Sequence, residues 1–319
     1  MFVRVAISLL ALIAPLAASH RCAAADPADK PAFAVEEKPD RLIITDGGRP
    51  VAEYVFNDPV VKRPYFCNVR TPSGIQVTRN HPPVEGQDLA DHPTFHPGIW
   101  WGFGDINGED FWRNKAAIRH ERFNNRTTED GALRIIHHCS LVDSSGAVLG
   151  KAGFATRWSR VVLIPSKKPS YWLSCEAALQ SDDRELVLGD QEEMGLGVRL
   201  ASPLAEKNGG LVTGHGGKKG AKAIWGTQSK WCDYSGRVDG RQVGITALAR
   251  NLKSSPSWWH VRDYGLLVAN GFGKRAQPDR SDPSSRIPPR LPLMLSYQLI
   301  IHDDEFDPEQ VVGLLTSED

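Results

Sequence analysis

Residues 91–112 read DHPTFHPGIWWGFGDINGEDFW, which brings two histidines, three tryptophans, four acids and four glycines into 22 positions. His92 and His96 stand four apart, but each is followed directly by a proline (Pro93, Pro97), and a residue before proline is biased toward extended backbone. A helix face is therefore not what this spacing serves. A stiff loop instead carries both imidazoles, which could move protons, contact a substrate, or act together as metal ligands. A structural hydrogen-bonding role for one of them remains open. Trp100, Trp101 and Trp112 lie among glycines that permit close approach. Their rings suit stacking on the C–H faces of sugars, with Asp91, Asn107 and Asp110 bonding hydroxyls, and they suit a sandwich core equally well.

Three further stretches carry charged side chains of the same kind. In DQEEMGLGVRL (190–200), Glu192 and Glu193 directly precede an apparent strand. Neighbours on a strand point to opposite faces, so only one of them is expected in a pocket, with Arg199 on the side of Glu193. Either glutamate is a candidate base. KWCDYSG (230–236) supplies Asp233 and Tyr234, and SWWHVRDYG (257–265) supplies His260, Arg262 and Asp263. His260 and Arg262 share a strand face, while Asp263 points away unless a turn begins there. His137, His138 and His302 lie in strand-like runs, where a structural histidine is the simpler expectation.

The elements that must position these residues are short and β-rich. Runs such as RLIITDG (41–47), PVAEYVF (50–56), YFCNVR (65–70), ALRIIHHCSLV (132–142), YWLSCEAAL (171–179), YGLLVAN (264–270) and LMLSYQLIIH (293–302) mix alternating polar and apolar residues between Gly, Pro, Asn, Asp or Ser clusters. The expected fold is all-β, a large antiparallel β-sandwich in one domain over residues 26–319. One short C-terminal helix is expected, capped by Asp307, started by Pro308 and packed through Val311, Val312, Leu314 and Leu315. The stretches 207–220 and 273–290 read as long surface loops, and the first lacks a phosphate-loop pattern despite its glycines.

Arg4 precedes an apolar run from Val5 to Ala18, followed by Ala23, Ala24 and Ala25, so residues 1–25 read as a signal peptide and the rest as an exported chain, periplasmic or extracellular. The remainder contains no apolar stretch long enough to span a bilayer as a helix. With 38 basic and 38 acidic residues and no basic stripe, nucleic acid is an unsuitable partner. Cys67, Cys139, Cys175 and Cys232 permit two disulfides in any of three connectivities. A bridge and four buried free thiols carry equal weight.

Taken together, DHPTFHPGIWWGFGDINGEDFW, EEMGLGVRL, WCDYSG, RDYGLLVANGFG and PLMLSYQLIIH resemble an exported bacterial family whose members are often labelled "methane oxygenase PmoA". The likeness extends over most of the mature region. The label belongs to a multi-span helical membrane subunit, which this β-rich chain does not match, so the oxygenase name is read as a misassignment. What the resemblance implies is a galactose-mutarotase-like supersandwich. Such sandwiches host sugar epimerases, polysaccharide lyases and glycoside hydrolases, and no catalytic residue of the mutarotases maps onto this chain by a shared motif.

The expected function is a carbohydrate-active enzyme, hydrolase, lyase or epimerase, that works by acid–base chemistry on a carbohydrate or another small polar substrate. His92, His96, Glu192, Glu193 and His260 are its candidate catalytic groups, and Arg199 and Arg262 bind an anion or hydroxyl. The rival expectations are a noncatalytic sugar-binding protein and a metal-dependent enzyme that uses His92 and His96. No cofactor is required by the sequence, and a divalent metal is compatible with it.

Overall fold

The computed structural model describes residues 33–163, 168–249, 257–270, 272, 285–305, 307–309 and 311–312. The signal-peptide segment and most of 273–290 lie outside them. Ten strands occupy the first part of the chain: Phe33–Glu37 (β1), Arg41–Asp46 (β2), Arg49–Val55 (β3), Tyr65–Cys67 (β4), Ile99–Phe103 (β5), Ala117–Glu129 (β6), Ala132–Val142 (β7), Val148–Val162 (β8), Pro169–Gln180 (β9) and Leu186–Leu188 (β10). Ten more follow: Met194–Arg199 (β11), Leu211–Gly214 (β12), Lys218–Lys219 (β13), Thr227–Ser229 (β14), Trp231–Val238 (β15), Arg241–Ala249 (β16), Ser257–Arg262 (β17), Leu266–Asn270 (β18), Ser285–Ile287 (β19) and Leu293–Asp303 (β20).

They form two nine-stranded sheets, ordered β1-β2-β3-β4-β5-β11-β18-β17-β14 and β13-β12-β15-β16-β20-β9-β8-β7-β6, and β10 pairs with β19. Neighbouring strands run antiparallel throughout, as in β11 against β5 and β20 against β9. The expected all-β antiparallel sandwich is therefore present. Period-two alternation drives it: along β2, Leu42, Ile44 and Asp46 are buried while Arg41, Ile43 and Thr45 are only partly so. One apolar core joins the facing sides of both sheets, with Trp158, Leu173 and Ile301 of the second sheet meeting Phe66, Trp101 and Leu196 of the first. The buried Asp46 sits at the edge of this core, ion-paired to Arg160 and bonded by the Tyr171 hydroxyl at 3.1 Å.

Three expectations are corrected or refined. Residues 207–220 are not simply a surface loop: Leu211–Gly214 pairs with β15, and Val212 is fully buried. Cys67, Cys139, Cys175 and Cys232 are free and buried, so none of the possible bridges forms. Burial pushes the Cys67 thiol up to about 12. Near the C-terminus the backbone is helical at 308–309 and 311–312, the Glu309 N–H donates to Asp307 Oδ1 at 3.0 Å, and Val311 and Val312 pack on Trp172, Trp231 and Ile300. Leu314 and Leu315 lie outside the described residues. No helix among the described residues is long and apolar enough to cross a membrane.

Candidate active site

Strand alternation and two loops bring three of the four polar stretches, all but KWCDYSG (230–236), to one surface. On β5, β11, β18 and β17 the residues Trp101, Leu196, Ala269 and Trp259 face the inter-sheet core. Their neighbours face the outer side, where cross-strand register lines up Trp100, Gly197, Val268 and His260 in one row, and Arg199, Leu266 and Arg262 in the next. Gly197 has a specific task here: a Cβ at that position would come within 2.5 Å of the Trp100 indole, which therefore lies across the glycine. Gly197→Ala is expected to displace Trp100, lowering stability by about 1–3 kcal/mol as overpacking does, with quenching or shift of tryptophan fluorescence as the readout.

Two loops, 79–98 and 104–115, roof this outer face, and two buried arginines hold them. The Arg79 guanidinium donates to the carbonyls of Leu89 (2.8 Å), Asp91 (2.6 Å), His92 (3.2 Å) and His96 (3.2 Å). Arg63 donates to the carbonyls of Trp112 (2.7 Å), Phe111 (3.4 Å) and Phe95 and to Asn114 Oδ1 (2.9 Å). Burial pulls Arg63 down to about 9 and Arg79 to about 10, which still leaves both charged at neutral pH. Each replaces its lost hydration with carbonyl dipoles. Beneath the roof, Trp100 and Trp112 pack with Tyr65, Leu266 and Val268.

His96 is fully buried in a stack, with its ring 4.7 Å from His92 and 5.4 Å from Trp100. Trp112 Nε1–H donates to His96 Nε2 at 3.3 Å, and Arg199 Nη1 approaches His96 Nδ1 at 3.5 Å. A neutral ring accepts at only one nitrogen, so one of these two contacts is a hydrogen bond to it, and a second ring proton would abolish that bond. Burial, with Arg199 and His92 nearby, drives the imidazole well below its ordinary value, so it is neutral. Glu193 Oε1 lies 3.8 Å from His96 Nε2, and Glu193 is ion-paired to Arg113.

His260 repeats the arrangement on the far side of the row. It is 1% exposed, and Trp225 Nε1–H donates to its Nδ1 at 2.9 Å. Burial, then Arg262, pulls it down to about 3 against the opposing pull of Glu193. Glu192 Oε2 stands 3.7 Å from His260 Nδ1, and both Glu192 oxygens lie 3.3 Å from Arg262 Nη2. Arg262 also lies over the Trp225 ring at 5.5 Å. Asn270 presents this pair of acids: its Nδ2 donates to the carbonyls of Gln191 (3.0 Å) and Glu192 (2.9 Å).

The structure thus gathers Asp91, His92, His96, Glu192, Glu193, Arg199, His260 and Arg262 from three distant stretches. Some expectations about them change. Both glutamates join the cluster, because the backbone bends at 192 and 193 and strand alternation starts only at Met194. Arg199 pairs with Asp91, at 2.6 and 2.8 Å, and not with Glu193. The tryptophans offer no sugar platform: Trp100, Trp101 and Trp112 are 2%, 6% and 0% exposed, and Trp101 belongs to the inter-sheet core. Asp110 is a turn cap that accepts from the Trp112 and Arg113 amides.

Four others lie elsewhere. Asn107 accepts from the Val187 amide and donates to the Glu185 carbonyl in a left-handed turn. Asp233, on the outer side of the second sheet, bonds Ser235, Thr246 and His302. Tyr234 donates into the carbonyls of Arg262 and Asp263 from the core side. Asp263 is exposed in the turn after β17. Arg63, Arg79, Arg113, Trp225, Tyr264 and Asn270 were not anticipated. Tyr264 and Asn270 stood inside quoted motifs, and the Tyr264 ring stacks 5.5 Å from His92 under the Arg199 guanidinium.

Among the described residues, Asp91, His92 and His96 place ligand atoms within 4.8 Å of one another and form the group that could hold a metal ion. Both Asp91 oxygens are engaged by Arg199, whose charge also faces His96 Nδ1. A cation would have to displace that guanidinium, so the donor set fits a metal poorly.

Comparison with curated proteins gives no match. Among solved structures, a GalM/aldose epimerase homologue from C. elegans aligns over 87% of this chain and 100% of its own, at 9% identity and a TM-score of 0.33. Residues 41–316, which contain the whole His–Glu cluster and every strand of the two sheets except β1, match a family described as "Family of unknown function (DUF6807)", and the chain belongs to that family.

Proposed function

We propose that this chain is an exported carbohydrate-active enzyme whose acid–base chemistry is done by the cluster on the outer face of the first sheet. The observation that carries the reading is the pairing of two neutral imidazoles with two carboxylates, His96 with Glu193 at 3.8 Å and His260 with Glu192 at 3.7 Å, on one roofed surface. A purely structural ion-pair network has no need to keep two desolvated histidines beside two acids. The groups that reach the solvent side of the roof are His92, Phe95, Tyr264, Trp225, Arg262 and Glu192, all exposed or half-buried. They offer ring faces, a guanidinium and a carboxylate, which is what hydroxyl-rich rings require. His96 and Glu193 lie deeper, both buried.

Incubation of the purified protein with a panel of poly-, oligo- and monosaccharides, followed by mass spectrometry, tests this. A product is expected, and Glu192→Gln is expected to lower its rate by about 10²–10⁴-fold with the fold intact. Saccharide binding without any product overturns the enzyme reading and leaves a sugar-binding protein.

A further inference from the structure

The reactions open to a carbohydrate-active site need different parts, and the inference here rests on that reading of the cluster. Glycoside hydrolysis places two carboxyl groups on opposite sides of the scissile bond, about 5–10 Å apart, with one protonated to serve as the acid. Glu192 and Glu193 are adjacent in the chain, and each is met by a guanidinium, Arg262 at 3.3 Å for Glu192 and Arg113 for Glu193. Neither is set up as a proton donor. What the site does hold ready is an N–H. Trp225 occupies Nδ1 of His260, so the one proton of that neutral ring sits on Nε2, which has no partner among the described residues although the residue is 1% exposed.

A fixed neutral N–H donor beside a charged carboxylate is the pair that enolisation uses. We propose that the site moves a proton at a carbon next to the carbonyl of a sugar, with Glu192 as the base, His260 as the hydrogen-bond donor to the carbonyl oxygen, and Trp225 as the residue that positions His260. The Glu192 carboxylate takes the proton. The C–H electron pair forms the C=C bond of an enediolate, and the carbonyl π pair moves onto the carbonyl oxygen, which accepts from the His260 Nε2–H. Delivery of a solvent proton to the other face of the same carbon, with Glu192 giving its own proton to solvent, gives an epimer, and return of the proton to the former carbonyl carbon, with the hydroxyl proton passing to the alkoxide oxygen, gives the aldose–ketose isomer, each of the same mass. No oxidant, reductant or further reactant is consumed. The substrate class is a sugar with an open or ring carbonyl: a ketose, an aldose in its open form, or an oxidised glycoside.

The role of Trp225 follows from one distance. Glu192 Oε2 is 3.7 Å from His260 Nδ1, the nitrogen that Trp225 occupies. Without the indole N–H, that nitrogen can take a proton and pair with Glu192, which removes the base.

The test is solvent exchange. The purified protein is incubated in D₂O with aldohexoses, ketohexoses, hexuronates and ring-oxidised glycosides, together with oligosaccharides, and followed by proton NMR and mass spectrometry. Uptake of deuterium at the carbon beside the carbonyl is expected, reduced about 100-fold or more in Glu192→Gln. In Trp225→Phe the acid limb of the rate profile is expected to move to higher pH, whereas a merely structural role would scale the profile without moving it. Water-gain products from the oligosaccharides without carbon-bound deuterium would overturn the proposal and leave the carbohydrate-enzyme reading standing. No change in any saccharide would overturn that reading itself. Exchange that persists in a folded Glu192→Gln protein would overturn the assignment of the base.

Discussion

Arg199→Leu is expected to cost about 3–5 kcal/mol of folding stability, the range found when one partner of a buried ion pair is removed. Arg199 is fully buried on the outer face of β11, and both of its terminal nitrogens bond Asp91, at 2.6 and 2.8 Å. Burial alone would push the Asp91 carboxyl up, but the bonds from Arg199 and His92 outweigh it and hold that carboxyl well below the usual range. Leucine fills much of the volume and leaves the charge of Asp91 half-buried without its counter-ion. The guanidinium also lies over Tyr264 at 4.8 Å, so its loss loosens the solvent side of the cluster as well. Urea unfolding followed by circular dichroism gives the size of the effect. Asp91→Asn in the same molecule is expected to restore part of it, because the uncompensated charge is then gone. Additive losses in the double variant would show that the two residues stabilise the fold independently.

Mild acid is expected to unfold the protein more readily than its balanced charge suggests. His96 and His137 are fully buried and driven well below their ordinary value, His96 by burial and Arg199, and His137 by burial and His120. His260, also buried, is pulled down to about 3 by burial and Arg262. In the unfolded chain each titrates near 6.5, so between that pH and the folded value the unfolded state binds more protons. Depressed imidazoles therefore contribute stability that is fully present above about pH 6.5 and is lost as pH falls below it. Each costs about 1.4 kcal/mol per pH unit, or about 4 kcal/mol per unit for the three. A domain stable by about 5–15 kcal/mol does not withstand two such units easily. Thermal melts from pH 7.5 to 4.5 are expected to show a steep fall that begins near pH 6. A melting temperature that holds steady down to pH 4.5 would mean that these imidazoles are not neutral in the fold.

Much of the scaffold was legible because alternation is a local signal. Ala132–Val142 was recovered end to end, and His260 and Arg262 were placed on one face from spacing alone. The strand Ala117–Glu129 was missed for a physical reason. It is an edge strand, mostly exposed and rich in Asn, Arg and Thr, and register shifts near His120 and Phe123 break its period. The residue types of the cluster were legible, but its pairings were not. Arg199 finds Asp91 across 108 residues, and nothing in either neighbourhood marks that partner. Arg63 and Arg79 stand in VKRPY and VTRNH, where they look like surface residues, and only the fold turns them inward. The tryptophans misled because the same rings serve a core and a sugar platform.

The grip of Arg63 and Arg79 has a consequence for how this surface can change. Nearly all the atoms they hold are main-chain carbonyls, from Leu89 to His96 on one side and from Phe95 to Trp112 on the other. A carbonyl is the same whatever side chain follows it. The roof is thus anchored through the part of the chain that mutation does not alter, and an outward side chain such as Phe95 can be exchanged without releasing it. Variation of this surface, by drift or by directed libraries, has its natural room at such outward positions, with the two arginines as the fixed frame.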